Sequence, residues 1–253
     1  MPKPFAAFDI DGTVFKSSLL EKAVESCIIQ GLFSRIPFET IDRQKKRWQS
    51  SNNEGVYQSY LTNLVKAFVK EIAGSNVDDF KRITADMIAD QRVRRFSFPR
   101  QLMQAIQDTH TIVAISGSPT ILVEPFLDDL GVNLILGSTF EEAEGAFTGR
   151  AIPIGDKKAR LRALVESGDV LQEGSIAVGD TVSDKTMLEY ATQAVMFNAS
   201  RTLTNKGVDQ GWWRVNEVKD EITALGYNTD IGGYVEVSHE WLIGQLANTS
   251  TPQ

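Results

Sequence analysis

Short apolar runs bounded by turn-forming residues recur along this 253-residue chain. They fall at Phe5–Ile10, Thr111–Ser116, Asn133–Leu136, Ser175–Val178 and Ala194–Phe197. Runs of this length and punctuation predict buried strands. Segments of helical length lie between several of them: Pro119–Leu130, Lys157–Ser167 and Asp184–Tyr190. Strands alternating with helices predict an α/β fold, a parallel sheet covered by helices on both faces. Ligands of such sheets bind outside the carboxyl ends of the strands, so residues that follow the apolar runs are the first candidates for function.

A long stretch breaks the alternation. From residue 16 to about 97 the apolar positions keep only a helical period. Tyr57, Tyr60, Leu61, Leu64, Val65, Phe68, Val69 and Ile72 recur at three- and four-residue steps, one apolar helix face. Phe80, Ile83, Met87 and Ile88 repeat the pattern, and Leu19, Leu20, Ala23, Val24, Cys27 and Ile28 predict an earlier helix. These stripes are packing faces. Their position is what matters, because an all-helical insertion placed straight after the first strand stands where a cap over a sheet-edge site would stand. The expected organisation is a discontinuous α/β core of residues 1–15 and 98–225 and a helical cap of residues 16–97. Linkers are expected near Val14–Ser17 and Phe96–Arg100. A C-terminal extension, 226–253, has no assigned role; within it Ser238 suits the N-cap of a last helix, and the terminal NTSTPQ is expected to fray.

Composition narrows the function. The net charge of −7 argues against a general nucleic-acid or membrane-surface binder. The charge is uneven: residues 16–98 hold 14 Lys/Arg against 10 Asp/Glu, while the remainder holds 12 against 23. A basic insertion over an acidic core fits an anionic small substrate meeting a cation-binding carboxylate cluster, and equally a solvated surface. Cys27 is the only cysteine, which excludes intrachain disulfides, and with only His110 and His239 a zinc site is disfavoured. No apolar run reaches membrane-spanning length, and MPKPFAAFDIDG meets acid too early for a secretory segment. The chain is expected to be cytoplasmic.

Four polar clusters follow apolar runs or open a helix. Asp9-Ile10-Asp11-Gly12-Thr13 ends the first strand, Ser116-Gly117-Ser118 the second, Lys157 and Lys158 open a helix, and Gly179-Asp180-Thr181-Val182-Ser183-Asp184 ends another strand. Singly, each is ordinary turn or capping chemistry. Together at one sheet edge, Asp9, Asp11, Asp180 and Asp184 concentrate negative charge that a hard divalent cation would stabilise. Oxygen donors without His or Cys point to Mg²⁺. Mg²⁺ completes its shell with water and substrate phosphate, and Ser116, the Gly117 N–H and a lysine ammonium are suitable phosphate donors. From Lys157, Leu161 and Leu164 fall on the same helix face, which favours Lys157 over Lys158.

FDIDGTV, ISGSP, a lysine opening a helix and GDTVSDKTML together resemble the four motifs of the haloacid dehalogenase superfamily of phosphohydrolases. The cap insertion point and the trailing VMFN resemble its phosphoserine-phosphatase-like branch, over roughly residues 5–215. The resemblance implies a Rossmann-like parallel core and an Mg²⁺-dependent phosphomonoesterase of small phosphorylated metabolites. It implies Asp9 as nucleophile, through an aspartyl-phosphate, and Asp11 as general acid and then base. The Asp9 and Asp180 carboxylates and the Asp11 main-chain carbonyl become metal ligands, with Asp184 orienting the metal's waters. Ser116, Gly117 and Lys157 hold the phosphoryl group. A phosphotransferase, a receiver-like phosphorylated module and an inactive phosphate binder are the alternatives, of which Asp11 and the large insertion disfavour the receiver. One departure bears on substrate: Ser18 stands where phosphoserine phosphatases carry a Glu for the substrate's ammonium, and the nearest Glu is Glu21. In DRQKKRWQS, Arg43, Lys45, Lys46, Arg47 and Trp48 either meet an anionic or aromatic substrate or form the basic outer face of a cap helix.

Overall fold

The computed structural model describes residues 1–51, 54–219 and 221–248. At its centre lies β1 (Pro4–Phe8), parallel to β2 (Thr111–Pro119) on one side and to β5 (Leu171–Gly179) on the other. Phe5 to Phe8 are fully buried, as a central parallel strand with both faces covered requires. The strand alternation splits the core in two. Ala6, Phe8, Ala114, Val178 and Phe197 join one apolar cluster, and Phe5, Ala7, Val113, Ala177 and Met196 join the other.

Outward from β2 come β3 (Leu134–Ala143) and its antiparallel partner β4 (Ala146–Ile152). Outward from β5 come β6 (Gln193–Phe197) and β7 (Trp213–Val218), both parallel, then β8 (Glu221–Asn228) and β9 (Gly233–Val237), both antiparallel. The nine strands form one sheet ordered β4-β3-β2-β1-β5-β6-β7-β8-β9. The five expected strands lie side by side at its centre, and β7 is a sixth parallel strand beside them. The flanking strands went unseen because they alternate or carry Gly and lie partly exposed, as in AFTGRAI and EITALGYN. Residues 226–248 are continuous with this sheet: they complete β8, form β9 and end in α10 (His239–Ala247), whose Leu242 and Leu246 are buried. Ser238 caps α10 by accepting from Trp241 N at 3.2 Å. Most of the terminal NTSTPQ, residues 249–253, lies outside the described residues.

Between β1 and β2 run α1 (Leu19–Ile29), α2 (Ile36–Ser51), α3 (Glu54–Ile72), α4 (Val77–Gln91) and a short 3-10 turn, before α5 (Ser97–Ile106). No strand occurs among the described residues of 16–97. The chain enters and leaves this region side by side through an isolated antiparallel bridge between Phe15 and Arg95, with Lys16 N donating to Arg94 O and Phe96 N to Val14 O. The insertion also touches the sheet elsewhere. Gly74 N and Val77 N donate to Phe147 O and Gly145 O, and Phe147 N donates to Ser75 O, so the α3–α4 turn pairs with the β3–β4 hairpin. Phe68 packs on Phe140 and Phe80 on Phe147, with ring centroids 5.1 and 5.5 Å apart. One continuous apolar cluster therefore runs from the insertion into the core.

The remaining helices are α6 (Thr120–Leu127), α7 (Lys157–Glu166), α8 (Lys185–Tyr190) and α9 (Arg201–Val208). Among the described residues no helix is long and apolar enough to cross a membrane.

Candidate active site

The parallel register puts Phe8 beside Ala114 and Val178. The residues that follow these three strand positions therefore converge at one edge, where Asp9, Ser116 and Asp180 meet. Asp9 N donates to Val178 O at 3.0 Å, holding the first carboxylate against β5. The chain then turns sharply at Gly12, whose φ of +97° lies in the region that favours glycine. Space demands glycine there as well: a Cβ would stand 2.1 Å from Asp180 Oδ2.

Lys157 comes to this edge from the first turn of α7, which Asp156 caps by accepting from Ala159 N. Its ammonium is buried and donates to Asp9 Oδ1 and Asp184 Oδ1, both at 2.6 Å. Lys158 points away, exposed, over the Tyr190 ring. Asp184 is fully buried; its other oxygen accepts from Asp180 N at 3.1 Å and Thr181 N at 3.0 Å, shaping the turn that carries Asp180. A Cβ on Gly179 would lie 2.5 Å from that of Asp184, so this turn needs glycine too.

Asp11 is held from three sides. Leu19 N, in the first turn of α1, donates to Oδ1 at 2.7 Å, and Ser118 Oγ and Ser116 Oγ donate to Oδ2 at 2.5 and 3.3 Å. Ser118 N in turn donates to Ser116 Oγ. Gly117 is exposed at the strand end, with its carbonyl fixed by the Ser138 hydroxyl at 2.8 Å.

Four carboxylates thus surround one ammonium. Burial is the main reason the Asp9 carboxyl is pushed up to about 7; Asp184 and Asp11 push the same way and Lys157 opposes them. Burial and then the Asp9 charge push Asp180 well above the carboxylate range. Burial also raises Asp11, against the hydrogen bonds from Ser118, Leu19 and Ser116. Lys157 is raised, because Asp184 and Asp9 outweigh the cost of its burial. Oxygens of Asp9, Asp180 and Asp184 lie within 4.8 Å of one another. Crowded, oxygen-only and frustrated by like charge, this donor set fits a hard divalent cation.

All seven residues singled out from the sequence, Asp9, Asp11, Ser116, Gly117, Lys157, Asp180 and Asp184, stand at this edge. Others were missed. Ser118 lies two residues beyond Ser116 on the same strand, so the strand period alone signals that both face Asp11. A cavity of about 470 Å³ opens from Asp11, Gly12 and Asp180 outward between the insertion and the start of α9. Glu21, Lys45, Trp48 and Tyr57 line it from the insertion side, and Arg201 from the core side. Of the basic stretch in α2, Lys45 and Trp48 line this cavity, whereas Arg43, Lys46 and Arg47 are exposed. Ser18 caps α1, accepting from Glu21 N at 3.4 Å.

Solved structures share the fold. A protein of unknown function from Bordetella pertussis Tohama I superposes with a TM-score of 0.69, at 16% identity over 84% of this chain and 97% of that one. A substrate-bound phosphoserine phosphatase superposes with a TM-score of 0.59, at 16% identity over 81% and 91%. Among curated sequences, the phosphoserine phosphatase SerB2 of Mycobacterium tuberculosis is 31% identical over 205 residues, which is 79% of this chain and 46% of that protein. The phosphoserine phosphatase of Archaeoglobus fulgidus is 19% identical over 206 residues, 79% of this chain and 54% of its own length. The chain thus spans about half the length of the curated relatives it matches. The model of haloacid dehalogenase-like hydrolases matches residues 6–189, the span that contains every carboxylate of the site. With that match and this geometry, the chain belongs to the haloacid dehalogenase-like hydrolase family.

Proposed function

We propose that this chain hydrolyses the phosphate monoesters of small metabolites, with Asp9 as nucleophile and Mg²⁺ as cofactor. The observation that carries the reading is the buried pairing of Asp9 with Lys157, set beside a second carboxylate, Asp11, that is separately held and separately tuned. One acid is placed to attack and the other to exchange protons. The phosphatase names of the sequence relatives support the same reaction class.

An Asp9 oxygen attacks phosphorus; the Asp9 O–P bond forms as the P–O bond to the leaving group breaks. Asp11, whose carboxyl burial raises above its ordinary value, is placed to protonate the departing alkoxide. The aspartyl-phosphate so formed divides one difficult step into two. Asp11, now ionised, takes a proton from water as that water attacks phosphorus, which releases inorganic phosphate and restores Asp9. Ser116 Oγ and the Gly117 N–H hold the phosphoryl oxygens, and the Lys157 ammonium offsets their charge. Asp184 keeps Lys157 and the Asp180 turn in place. The Asp9 and Asp180 carboxylates and the Asp11 main-chain carbonyl would hold Mg²⁺, which would supply positive charge to offset that of the phosphoryl group.

The cavity volume of about 470 Å³ suits a small ligand, since such pockets measure roughly 300–1,000 Å³. Residues 16–97 form its cap in this reading. The test is release of inorganic phosphate from an aryl phosphate with and without Mg²⁺, in wild type and Asp9→Asn. Turnover should need the cation and fall by about 10³-fold or more in the variant. Turnover within tenfold of wild type in Asp9→Asn, at about equal expression, would remove Asp9 from the nucleophile's role.

A further inference from the structure

The charges in the outer cavity bear on which ester enters it. Beyond Asp11 and Asp180, its lining carries three cations, Lys16, Lys45 and Arg201, and one carboxylate, Glu21. That carboxylate is already engaged. Lys45 Nζ donates to Glu21 Oε2 at 2.5 Å and the Tyr60 hydroxyl donates to Oε1. The Glu21 side chain is 13% exposed, so little of it faces an incoming ligand. A substrate ammonium would have to displace Lys45 from it.

The cations are less fully compensated. Lys45 uses one of its three protons on Glu21. Lys16 is 3.8 Å from Glu217, whose two oxygens already accept from Ser97 N and Phe98 N, each at 2.9 Å. Arg201 stands exposed in the first turn of α9, without an ion pair to any carboxylate of the described residues. Tyr57 and Trp48 wall the same space, with ring centroids 4.5 Å apart. Burial and the nearby carboxylates, Asp180 first, keep the Tyr57 phenol protonated, so its hydroxyl remains a donor. Apolar walls lower the local dielectric and strengthen whatever charge reading the cations perform.

We propose that the leaving group carries a second anionic group, a carboxylate or a phosphate, and no ammonium. Lys45 and Arg201 read that anion, and Glu21 is a positioning residue that fixes Lys45 rather than an ammonium receptor. The inference rests on the phosphomonoesterase reading above and names the substrate class of the same site. Both anions share one recognition chemistry, charge-assisted donation from ammonium and guanidinium.

The test is a matched series of propyl phosphates ending in hydrogen, carboxylate, a second phosphate or ammonium, assayed by phosphate release with Mg²⁺. One or both anionic esters should exceed the neutral and ammonium esters in kcat/KM by about tenfold or more, the worth of one charged hydrogen bond. Whichever anion leads identifies the group read. The Lys45→Met/Arg201→Gln variant should lose at least about tenfold of this preference. In Glu21→Gln the ammonium ester should stay as poor relative to the neutral ester as in wild type, while KM for the anionic ester rises as Lys45 loses its tether. Three results would each overturn the inference: an ammonium ester as good as the best anionic one, a selective loss of the ammonium ester in Glu21→Gln, or a preference unmoved in the double variant. Hydrolysis of none of the esters, aryl phosphate included, would instead defeat the phosphomonoesterase reading, and this inference with it.

Discussion

Asp9 is buried beside three other acids, and Lys157 is the cationic side chain that pairs with it. In the metal-free chain burial pushes its carboxyl up to about 7, against 3.8 for the ordinary side chain. The folded state then binds a proton that the unfolded chain releases, so this group's contribution to stability is fully present below 3.8 and is lost as pH rises through about 7. A cation that takes the proton's place reverses the trend. We expect the thermal midpoint in EDTA to fall across this window, and the gain on adding Mg²⁺ to grow with pH, read by scanning fluorimetry at matched ionic strength. A midpoint that ignores both pH and Mg²⁺ would mean that the carboxylates do not share a cation. Much of this cluster was legible from residue types alone. DIDG, SGS and GDxxxD follow apolar runs, and parallel strands bring their carboxyl ends together whatever the loops between them do. The Lys157 assignment was legible from helix spacing, because Leu161 and Leu164 mark the buried face of α7. The engagement of Glu21 was not, since Lys45 and Tyr60 reach it from α2 and α3, 24 and 39 residues away in the chain.

At the scale of elements, the contact between the α3–α4 turn and the β3–β4 hairpin decides how the insertion behaves. Two linkers alone would let the helices swing as a unit. Instead Phe147 of β4 is buried against Phe80 of α4, in edge-to-face contact at 86°, and its main chain bonds the α3–α4 turn in both directions. Such a hairpin ties the insertion to the sheet at a third place. It follows that the helices and the sheet should unfold together. Phe147→Ala should lower stability by about 3–5 kcal/mol and shift one calorimetric transition without splitting it. A separate low-temperature transition for residues 16–97 in the wild type would show two independent units. This attachment was invisible in the sequence for a physical reason: β4 reads as AFTGRAI, half-exposed and interrupted by Gly149, and the part of the insertion that bonds to it is a turn rather than a strand. The helices were easier to find, because amphipathic faces such as Tyr60-Leu64-Phe68-Ile72 repeat a period that does not depend on what they pack against.

Over the whole molecule, a central parallel sheet brings four polar clusters to one edge, and a helical insertion that shares the sheet's apolar core walls the cavity beside them. In the proposed function the sheet sets the chemistry and the insertion sets what approaches it. Strand order explains the division: β1, β2 and β5 are central and supply Asp9, Asp11, Ser116 and Asp180, while the antiparallel flanks add breadth to the sheet and carry none of these groups. In the proposed mechanism phosphate passes through Asp9. Acid quenching during turnover of an aryl phosphate, followed by borohydride reduction and peptide mass spectrometry, reads this directly. An acyl phosphate at Asp9 becomes homoserine under these conditions and an unmodified carboxylate does not. Homoserine at position 9 is expected in wild type, in greater amount in Asp11→Asn, where the aryloxide still leaves without an acid but the second step lacks its base, and absent without substrate. Phosphate release that continues with Asp9 unmodified at every time point, or an adduct on a different carboxylate, would contradict the account.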